Sequence, residues 1–376
     1  MNYKISLIKR SLFVTIVATI LAFISCRIGI ASQIVNFLPD SSNLPFEGPN
    51  SVYDYYCRQS LNNEAFEDAE IVVINVADYP RSIIGQTINI IEEAGAKVVG
   101  VDIVFPKKEE NDANNLLGAL SLYDNLVISL GFVLTENKTT KLYGSYFMRD
   151  SSFTNHFKGV EAITNESNQG RSIETSFEIN RIHYDSFSWA IAKKYNPSLK
   201  EISFCGKYIN YKDFRYDPHT TAYDAMDIIN NSDTGFWEDF KKVCNNKIVL
   251  IGGVNDYEDL HYLPTGDYAP GILCLCYAIS SIIHNAQIIN ISSWIIWLIS
   301  VIICFLITLL FFRIRDGKNP YVSWILKGIE IAFMFIIVSF CLALFKHNLF
   351  VDFTPYFTTF AFQLFLSSIP FKTKEK

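Results

Sequence analysis

The feature that most constrains the fold is an uncharged apolar run at residues 291–312, ISSWIIWLISVIICFLITLLFF. A helix of that length spans about 30 Å of hydrocarbon. Trp294 and Trp297 stand near one end of the run, where an interfacial aromatic belt is expected. The run therefore predicts a membrane-spanning helix.

A second span is predicted at residues 11–30, and Lys4, Lys9 and Arg10 before it place the N-terminus in the cytoplasm. Two other interpretations stay open: a cleaved signal peptide, and a lipoprotein signal that ends at a lipidated Cys26. Phe23 stands where such lipoprotein signals prefer leucine, and no small-x-small cleavage pattern is present. We therefore expect an uncleaved anchor.

Two more spans are predicted toward the C-terminus, at residues 325–345 and 349–370. The basic segment RIRDGKNP before the first of them marks a cytoplasmic turn. The last run is interrupted by Asp352, Pro355 and Gln363. Four spans place both termini in the cytoplasm, whereas a re-entrant last segment would place the C-terminus outside.

Charge separates these ends from the middle of the chain. Residues 1–30 carry four basic and no acidic side chains, residues 31–292 carry 20 and 34, and residues 293–376 carry eight and four. An acidic middle domain repels nucleic acid, so that class of partner is excluded. The chain is therefore predicted to be a multi-pass protein of the inner or plasma membrane. In chain order its predicted parts are a cytoplasmic N-terminus (1–10), a first span (11–30), a large periplasmic or extracellular domain (31–290), a second span (291–312), a cytoplasmic loop (313–324), a third and a fourth span (325–345 and 349–370) and a cytoplasmic tail (371–376).

The middle domain shows the pattern of an α/β fold. Nearly continuous β-branched runs predict buried strands at residues 70–76, 97–105, 125–130 and 247–252. Helical periodicity predicts one helix at residues 82–94 and a second at residues 112–122. The first is expected to end at Gly95. This alternation favours a mainly parallel sheet with helices on both faces. Residues 135–188 are polar and predict an insertion of short strands and loops.

Several local sequences together resemble the CHASE type 2 domain, an extracytoplasmic sensory module of bacterial receptors. YDYYCR at residues 53–58 is similar to the opening segment of that family, and EIVVINVADYPR at 70–81 is similar to its first strand and helix start. AGAKVVGVDIVFP at 94–106 and KIVLIGGVNDYEDLHYLPTGDYAPGI at 247–272 carry the resemblance further, with Leu263 where threonine is common. Gly170 and Arg171 match less well, because NESNQ replaces the acidic residues expected before them.

The resemblance implies a sensor that takes part in signal transduction and whose extracytoplasmic domain is followed by membrane helices. Only FKTKEK follows the last apolar run, so we expect no fused kinase or cyclase of the kind such receptors carry, and we expect a separate signalling or envelope protein to read the signal. A homodimer is implied only by analogy with receptors of this type. We expect a small extracytoplasmic ligand that the sequence does not identify.

Candidate ligand-binding residues follow from one buried charge. Asp102 lies inside an apolar strand, where an unpaired carboxylate is costly, so it needs a partner or a crevice at the strand ends. Arg81 or Arg171 is the predicted partner, and the three residues together are the candidate ligand site. A structural ion pair or a hydrogen bond to a loop backbone is the plainer explanation.

Other signals of chemistry are weak. Asp256, Glu258, Asp259 and His261 form an oxygen-rich group that could hold a divalent cation, although a solvated acidic loop explains it better. The Ile251–Gly253 glycines lack a phosphate-binding motif, so close packing explains them better. Neither GxSxG nor HExxH occurs, and no cofactor or catalytic residue is predicted. The sequence thus favours a non-enzymatic sensor, with a structural envelope scaffold as the alternative and a hydrolase third.

Overall fold

The computed structural model describes residues 2–27, 50–61, 65–76, 79–105, 107, 116–134, 140–145, 147, 158–163, 171–173, 175–179, 181–200, 207–217, 222–254, 259–315 and 320–368. The chain divides into two compact units. The membrane unit consists of Met1–Ser60 and Ile288–Lys376, and the sheet unit consists of Leu61–Gln287.

The helices are α1 (Asn2–Arg27), α2 (Asn50–Gln59), α3 (Arg81–Glu93), α4 (Leu116–Leu122), α5 (Phe187–Tyr195), α6 (Ala225–Asn230), α7 (Thr234–Cys244), α8 (Gly271–Ile283), α9 (Ser293–Arg315), α10 (Pro320–Lys346) and α11 (Thr354–Ser368). The strands are β1 (Ile71–Asn75), β2 (Val98–Val101), β3 (Leu126–Leu134), β4 (Thr140–Tyr143), β5 (Val160–Ile163), β6 (Ser172–Ile173), β7 (Ser176–Ile179), β8 (Ile182–Asp185), β9 (Lys207–Tyr208), β10 (Ala222–Asp224), β11 (Ile248–Gly252), β12 (Leu260–Tyr262), β13 (Tyr268–Pro270), β14 (Ile288–Asn290) and β15 (Leu349–Phe350).

The sheet unit is built on a seven-stranded sheet in the order β10-β1-β11-β2-β3-β4, with β5 also paired to β3. Every pairing in it is parallel except that of β4 with β3. In one row Val73 pairs with Leu250, Leu250 with Gly100, and Gly100 with Val127. The four predicted strands are confirmed, although β2 ends at Val101 because the chain then leaves the sheet.

Helices cover both faces of this sheet, as a parallel sheet requires. Ile88 of α3 and Phe240 of α7 pack on one face with Ile74 and Ile251. On the other face α5 lies so close to β2 that a Cβ added to Gly100 would lie 2.6 Å from Ile191 Cδ1. The predicted α/β class is therefore confirmed for this unit.

The predicted helices are present with small shifts in their ends. The first is α3, and Gly95 follows it with a φ of +83°, a left-handed conformation that glycine adopts easily. The second is α4, while residues 112–115 of its predicted range lie outside the described residues. Within residues 135–188, β7 and β8 form an antiparallel hairpin and β5 joins the main sheet.

The membrane unit contains three segments long and apolar enough to cross a bilayer, among the residues that the structure describes: Ile5–Cys26, Ser293–Arg315 and Lys327–Lys346. The predicted fourth span at 349–370 is wrong. Its first residues form β15 and a turn, and Asp352 Oδ1 accepts a hydrogen bond from Thr354 N at 2.9 Å where α11 begins. The 15 residues of α11 cover about 22 Å, which is shorter than a full crossing.

An aromatic cluster joins α2 to residues 347–353, the turn between α10 and α11. The Tyr56 ring lies 5.2 Å from that of Phe345 and 5.6 Å from that of Phe350. Tyr53 and Phe353 complete the cluster. Tyr56 Oη also donates a hydrogen bond to the carbonyl oxygen of Val351, which follows β15, at 3.1 Å. These contacts fix α2, the element that precedes the sheet unit in the chain, to the end of a membrane helix.

Candidate functional site

The carboxyl ends of β1, β11 and β2 meet at one edge of the sheet, where ligands of parallel α/β folds usually bind. Asp102 follows β2 here, and its backbone N–H donates to Ile251 O at 2.8 Å. A Cβ added to Gly252 would lie 3.5 Å from Asp102 Cβ and 2.8 Å from Ile272 Cδ1. The predicted close packing of this glycine is confirmed, and Asp102 is half-buried at the edge where the prediction requires it.

Arg81 lies at the same edge, as the first residue of α3. Its Nη1 donates to Lys107 O at 2.6 Å, and its guanidinium carbon lies 5.3 Å from the centre of the Phe105 ring. The arginine is thereby held against the segment that continues from Asp102. The structure thus brings Arg81 and Asp102 to one edge, and their direct pairing stays a prediction.

Arg171 is placed beside α8, and only 1% of its surface is exposed. Burial raises the pKa of Cys274 in α8 to about 12, an effect that the nearby Asp259 carboxylate adds to and the Arg171 charge opposes. Arg171 and Asp259 therefore both lie within electrostatic reach of the first turn of α8. The sequence had not linked these two residues, and the predicted role of Arg171 in ligand binding stays a prediction.

Asp259 caps a helix. Its Oδ2 accepts a hydrogen bond from Gly271 N, the first residue of α8, at 3.1 Å, and its Oδ1 lies 2.9 Å from His261 Nε2. A carboxylate at a helix N-terminus is favoured by the unpaired N–H groups there. Asp256 and Glu258 lie outside the described residues, and the described part of the chain holds no group of three His, Cys, Asp or Glu side chains suited to a metal ion. The metal hypothesis gains no support from this geometry.

A polar network that the sequence did not reveal lies at the same edge as Asp102. Asn75 ends β1, and its Oδ1 accepts from Val254 N at 3.0 Å while its Nδ2 donates to Asp224 Oδ2 at 3.3 Å. Asp224 Oδ1 accepts hydrogen bonds from Tyr79 Oη at 2.8 Å and from the backbone N–H of Met226 at 2.9 Å. The hydrogen bond to Asp224 raises the pKa of Tyr79. This network fixes the ends of β1, β10 and β11 relative to one another.

A second hidden network lies at the opposite, amino end of β1. Asp68 is 2% exposed, and its Oδ2 accepts from Ser280 Oγ at 2.7 Å and contacts His284 Nε2 at 2.9 Å. These are the residue types of a serine hydrolase, yet the serine is completely buried and donates to the aspartate. A nucleophile needs its hydrogen bond to the histidine base instead. The geometry is that of a structural cluster tying α8 to β1.

These observations define a class: a membrane-anchored α/β protein whose parallel sheet presents a charged carboxyl edge. The family model of the CHASE2 domain matches residues 36–312, more than half of the chain, so the chain belongs to the CHASE2 domain family. This family is an extracellular sensory domain, and the predicted resemblance is confirmed. A search of curated proteins finds no match, and neither does a search of solved structures.

Proposed function

We propose that the chain is a non-enzymatic sensor whose sheet unit binds a small extracytoplasmic ligand and whose membrane unit passes the signal to a separate protein. The observation that carries the proposal is the family membership over residues 36–312 together with the charged carboxyl edge of the sheet. Arg81 and Asp102 are the proposed ligand contacts at that edge, and Arg171 is proposed to complete the site from the α8 side.

The proposed topology follows the distribution of basic residues. The N-terminus and residues 313–324 face the cytoplasm, and the sheet unit lies outside. The end of α11 stays with the cytoplasmic ends of its neighbours, because Arg315 Nη1 donates to Ser367 O and Lys327 Nζ to Ser368 Oγ, both at 2.6 Å. We therefore propose that both termini are cytoplasmic: α11 is shorter than a full span, but together with β15 and the residues between them it returns the chain from the outer end of α10 to the cytoplasmic side, inside the bundle.

The route inward is proposed to run through α2. This helix leads directly into the sheet unit, and the aromatic cluster fixes it to the end of α10. A ligand-induced movement of the chain at Leu61 would therefore act on the turn between α10 and α11. A partner that contacts the cytoplasmic ends of these helices would read the movement.

A thermal-shift screen of the full-length chain in detergent tests ligand binding. The probes are small carboxylates, phosphates, amines and sugars, and a ligand at a hundred times its Kd stabilises the folded state by about 2.7 kcal/mol. Asp102→Asn is expected to abolish the shift. Asp239→Asn is the matched control, because the Asp239 side chain is 77% exposed on α7. If no probe stabilises the chain, the scaffold function is favoured instead.

The topology has an independent test. Protease added to intact spheroplasts is expected to cut within residues 31–290, and a reporter active only in the cytosol is expected to be silent when inserted at Asn137 and active when fused to the C-terminus. Protection of the large domain, or an active reporter at Asn137, would reject the sensor function along with its topology.

A further inference from the structure

The three candidate spans carry a single acidic side chain, Glu330 of α10. Only 6% of its surface is exposed, so it points into the helix bundle and away from lipid. Lys327, one turn earlier on α10, lies within electrostatic reach of Glu330 and donates to Ser368 Oγ at the end of α11. An acidic side chain inside a membrane bundle is costly and usually has a function.

Polar side chains from two other helices accompany it. Gln363 of α11 is completely buried, and its Oε1 accepts a hydrogen bond from Cys304 Sγ of α9 at 3.7 Å. Tyr356 of α11 is 5% exposed. Both Cys304 and Tyr356 lie within electrostatic reach of Glu330. These four residues, Glu330, Cys304, Tyr356 and Gln363, form what we name the intramembrane cluster.

Apolar side chains enclose the cluster. Met334 of α10 packs with Tyr356 and Phe360 of α11, and Ile303 and Ile307 of α9 pack against them. The surroundings are therefore poor in groups that could solvate a charge. Burying a charge in such surroundings is costly unless it is paired or hydrogen-bonded.

Three polar atoms of the cluster have no hydrogen-bond partner among the residues that the structure describes: Glu330 Oε2, Tyr356 Oη and Gln363 Nε2. Burying such atoms unpaired is unfavourable, and nothing in a hydrocarbon interior can satisfy them. The tyrosine hydroxyl and the amide nitrogen are donors, whereas the carboxyl oxygen accepts or, once protonated, donates. Water accepts and donates at once, so it complements this set of atoms.

We propose that the intramembrane cluster is a proton-binding site, in which enclosed water joins Tyr356 and Gln363 to Glu330 and a carboxylate oxygen of Glu330 takes up the proton. The proton comes from bulk water at the end of the bundle marked by Lys327 and Ser368, and no redox step is involved. The charge of Glu330 then differs between the two states, and with it the packing of α10 against α9 and α11. The membrane unit thereby has an input of its own, beyond the ligand sensed by the sheet unit.

Infrared difference spectroscopy of the full-length chain in lipid nanodiscs, titrated across the neutral range, tests the site. A protonated carboxylic acid band is expected in the unaltered chain, shifting in D₂O because the acid proton of Glu330 exchanges with solvent. Glu330→Gln is expected to lose the band, and Glu238→Gln, an exposed position on α7, is expected to keep it. Gln363→Leu is expected to keep the acid but shift its band, because one hydrogen-bonding neighbour is lost.

Several results would overturn the proposal. One is a spectrum of the unaltered chain without an acid band that depends on Glu330, and another is a band that does not shift in D₂O. A third is a rise in thermal stability with sodium at constant ionic strength that Glu330→Gln removes, since that marks a cation site. Ligand binding at the sheet unit has no bearing on these measurements, so the two proposals fail separately.

Discussion

Replacing Gly100 with alanine tests the close contact between β2 and α5. The added Cβ would lie 2.6 Å from Ile191 Cδ1, 2.8 Å from Leu250 Cδ2 and 3.2 Å from Phe187 Cζ, all inside normal contact distance. Overpacking of a core in this way costs about 1–3 kcal/mol. Alanine recovers about 0.5–1 kcal/mol, because glycine loses more backbone freedom on folding. Since the nearest atoms are the ends of flexible side chains, we expect a net loss of about 1–2 kcal/mol in the free energy of unfolding.

Thermal unfolding of the full-length chain in detergent measures this loss. For a unit of this size, each kcal/mol lowers Tm by about 2–4 °C, so a decrease of about 2–8 °C is expected. Trp189 of α5 is 5% exposed and supplies a fluorescence reporter next to the altered contact. The same glycine-to-alanine change at Gly118 of α4 is the control, because an added Cβ there would meet nothing within 4 Å.

Gly118→Ala is expected to leave Tm unchanged or to raise it slightly, since alanine favours a helix by about 0.5–1 kcal/mol. If Gly100→Ala were as stable as Gly118→Ala, the tight apposition of β2 and α5 would be refuted. Because Asp102 follows Gly100 by two residues, loss of ligand binding in Gly100→Ala without a change in Tm would show instead that the substitution acts on the site.

Three other outcomes are expected. Asn75→Ala leaves the buried Val254 N–H without its acceptor, so chemical denaturation of the full chain should show a loss of about 1–3 kcal/mol, and a loss below 0.5 kcal/mol would contradict the network. Burial raises the pKa of Glu92 from 4.5 to about 7 despite a hydrogen bond from Asn125, so the folded state binds the proton more tightly than the unfolded chain. The free energy of unfolding should therefore fall as the pH rises from about 4.5 to about 7. Glu92→Gln should flatten this part of the profile of Tm against pH; an unchanged profile would argue against the burial. Tyr56→Phe removes one hydrogen bond in the aromatic cluster and should cost about 0.5–1.5 kcal/mol while keeping the ring packing, as thermal unfolding in detergent would show; no loss would mean that the hydrogen bond contributes nothing.

The strands and helices of the sheet core could be predicted because their signals are local. The apolar run at 70–76 and the periodicity that stops at Gly95 both depend on neighbouring residues, and both elements are present. The charge pattern and the long apolar runs likewise identify three membrane segments. The fourth was wrong because composition alone does not show that Asp352 begins a helix in the middle of an apolar run.

The site networks could not be predicted because their partners are far apart in the chain. Asn75 and Asp224 are separated by 149 positions, and Asp68 and Ser280 by 212. Each is an ordinary polar residue, and only the order of strands in the sheet, or the packing of α8 in the case of Ser280, brings the partners together. Glu330 was not singled out from the sequence, and its companions come from α9 and α11, so their proximity depends on how these helices pack.

The turn between α10 and α11 contacts both segments that flank the sheet unit in the chain, α2 before it and β14 after it. On one side, α2 is bonded to it through Tyr56, and on the other, β14 pairs in parallel with β15, with Ile289 beside Leu349. A displacement of α2 and a displacement of β14 would thus act on the same short segment of backbone. Equal displacements would shift that segment as a whole, whereas opposed ones would twist it, so we expect the membrane helices to respond to the difference between the two displacements.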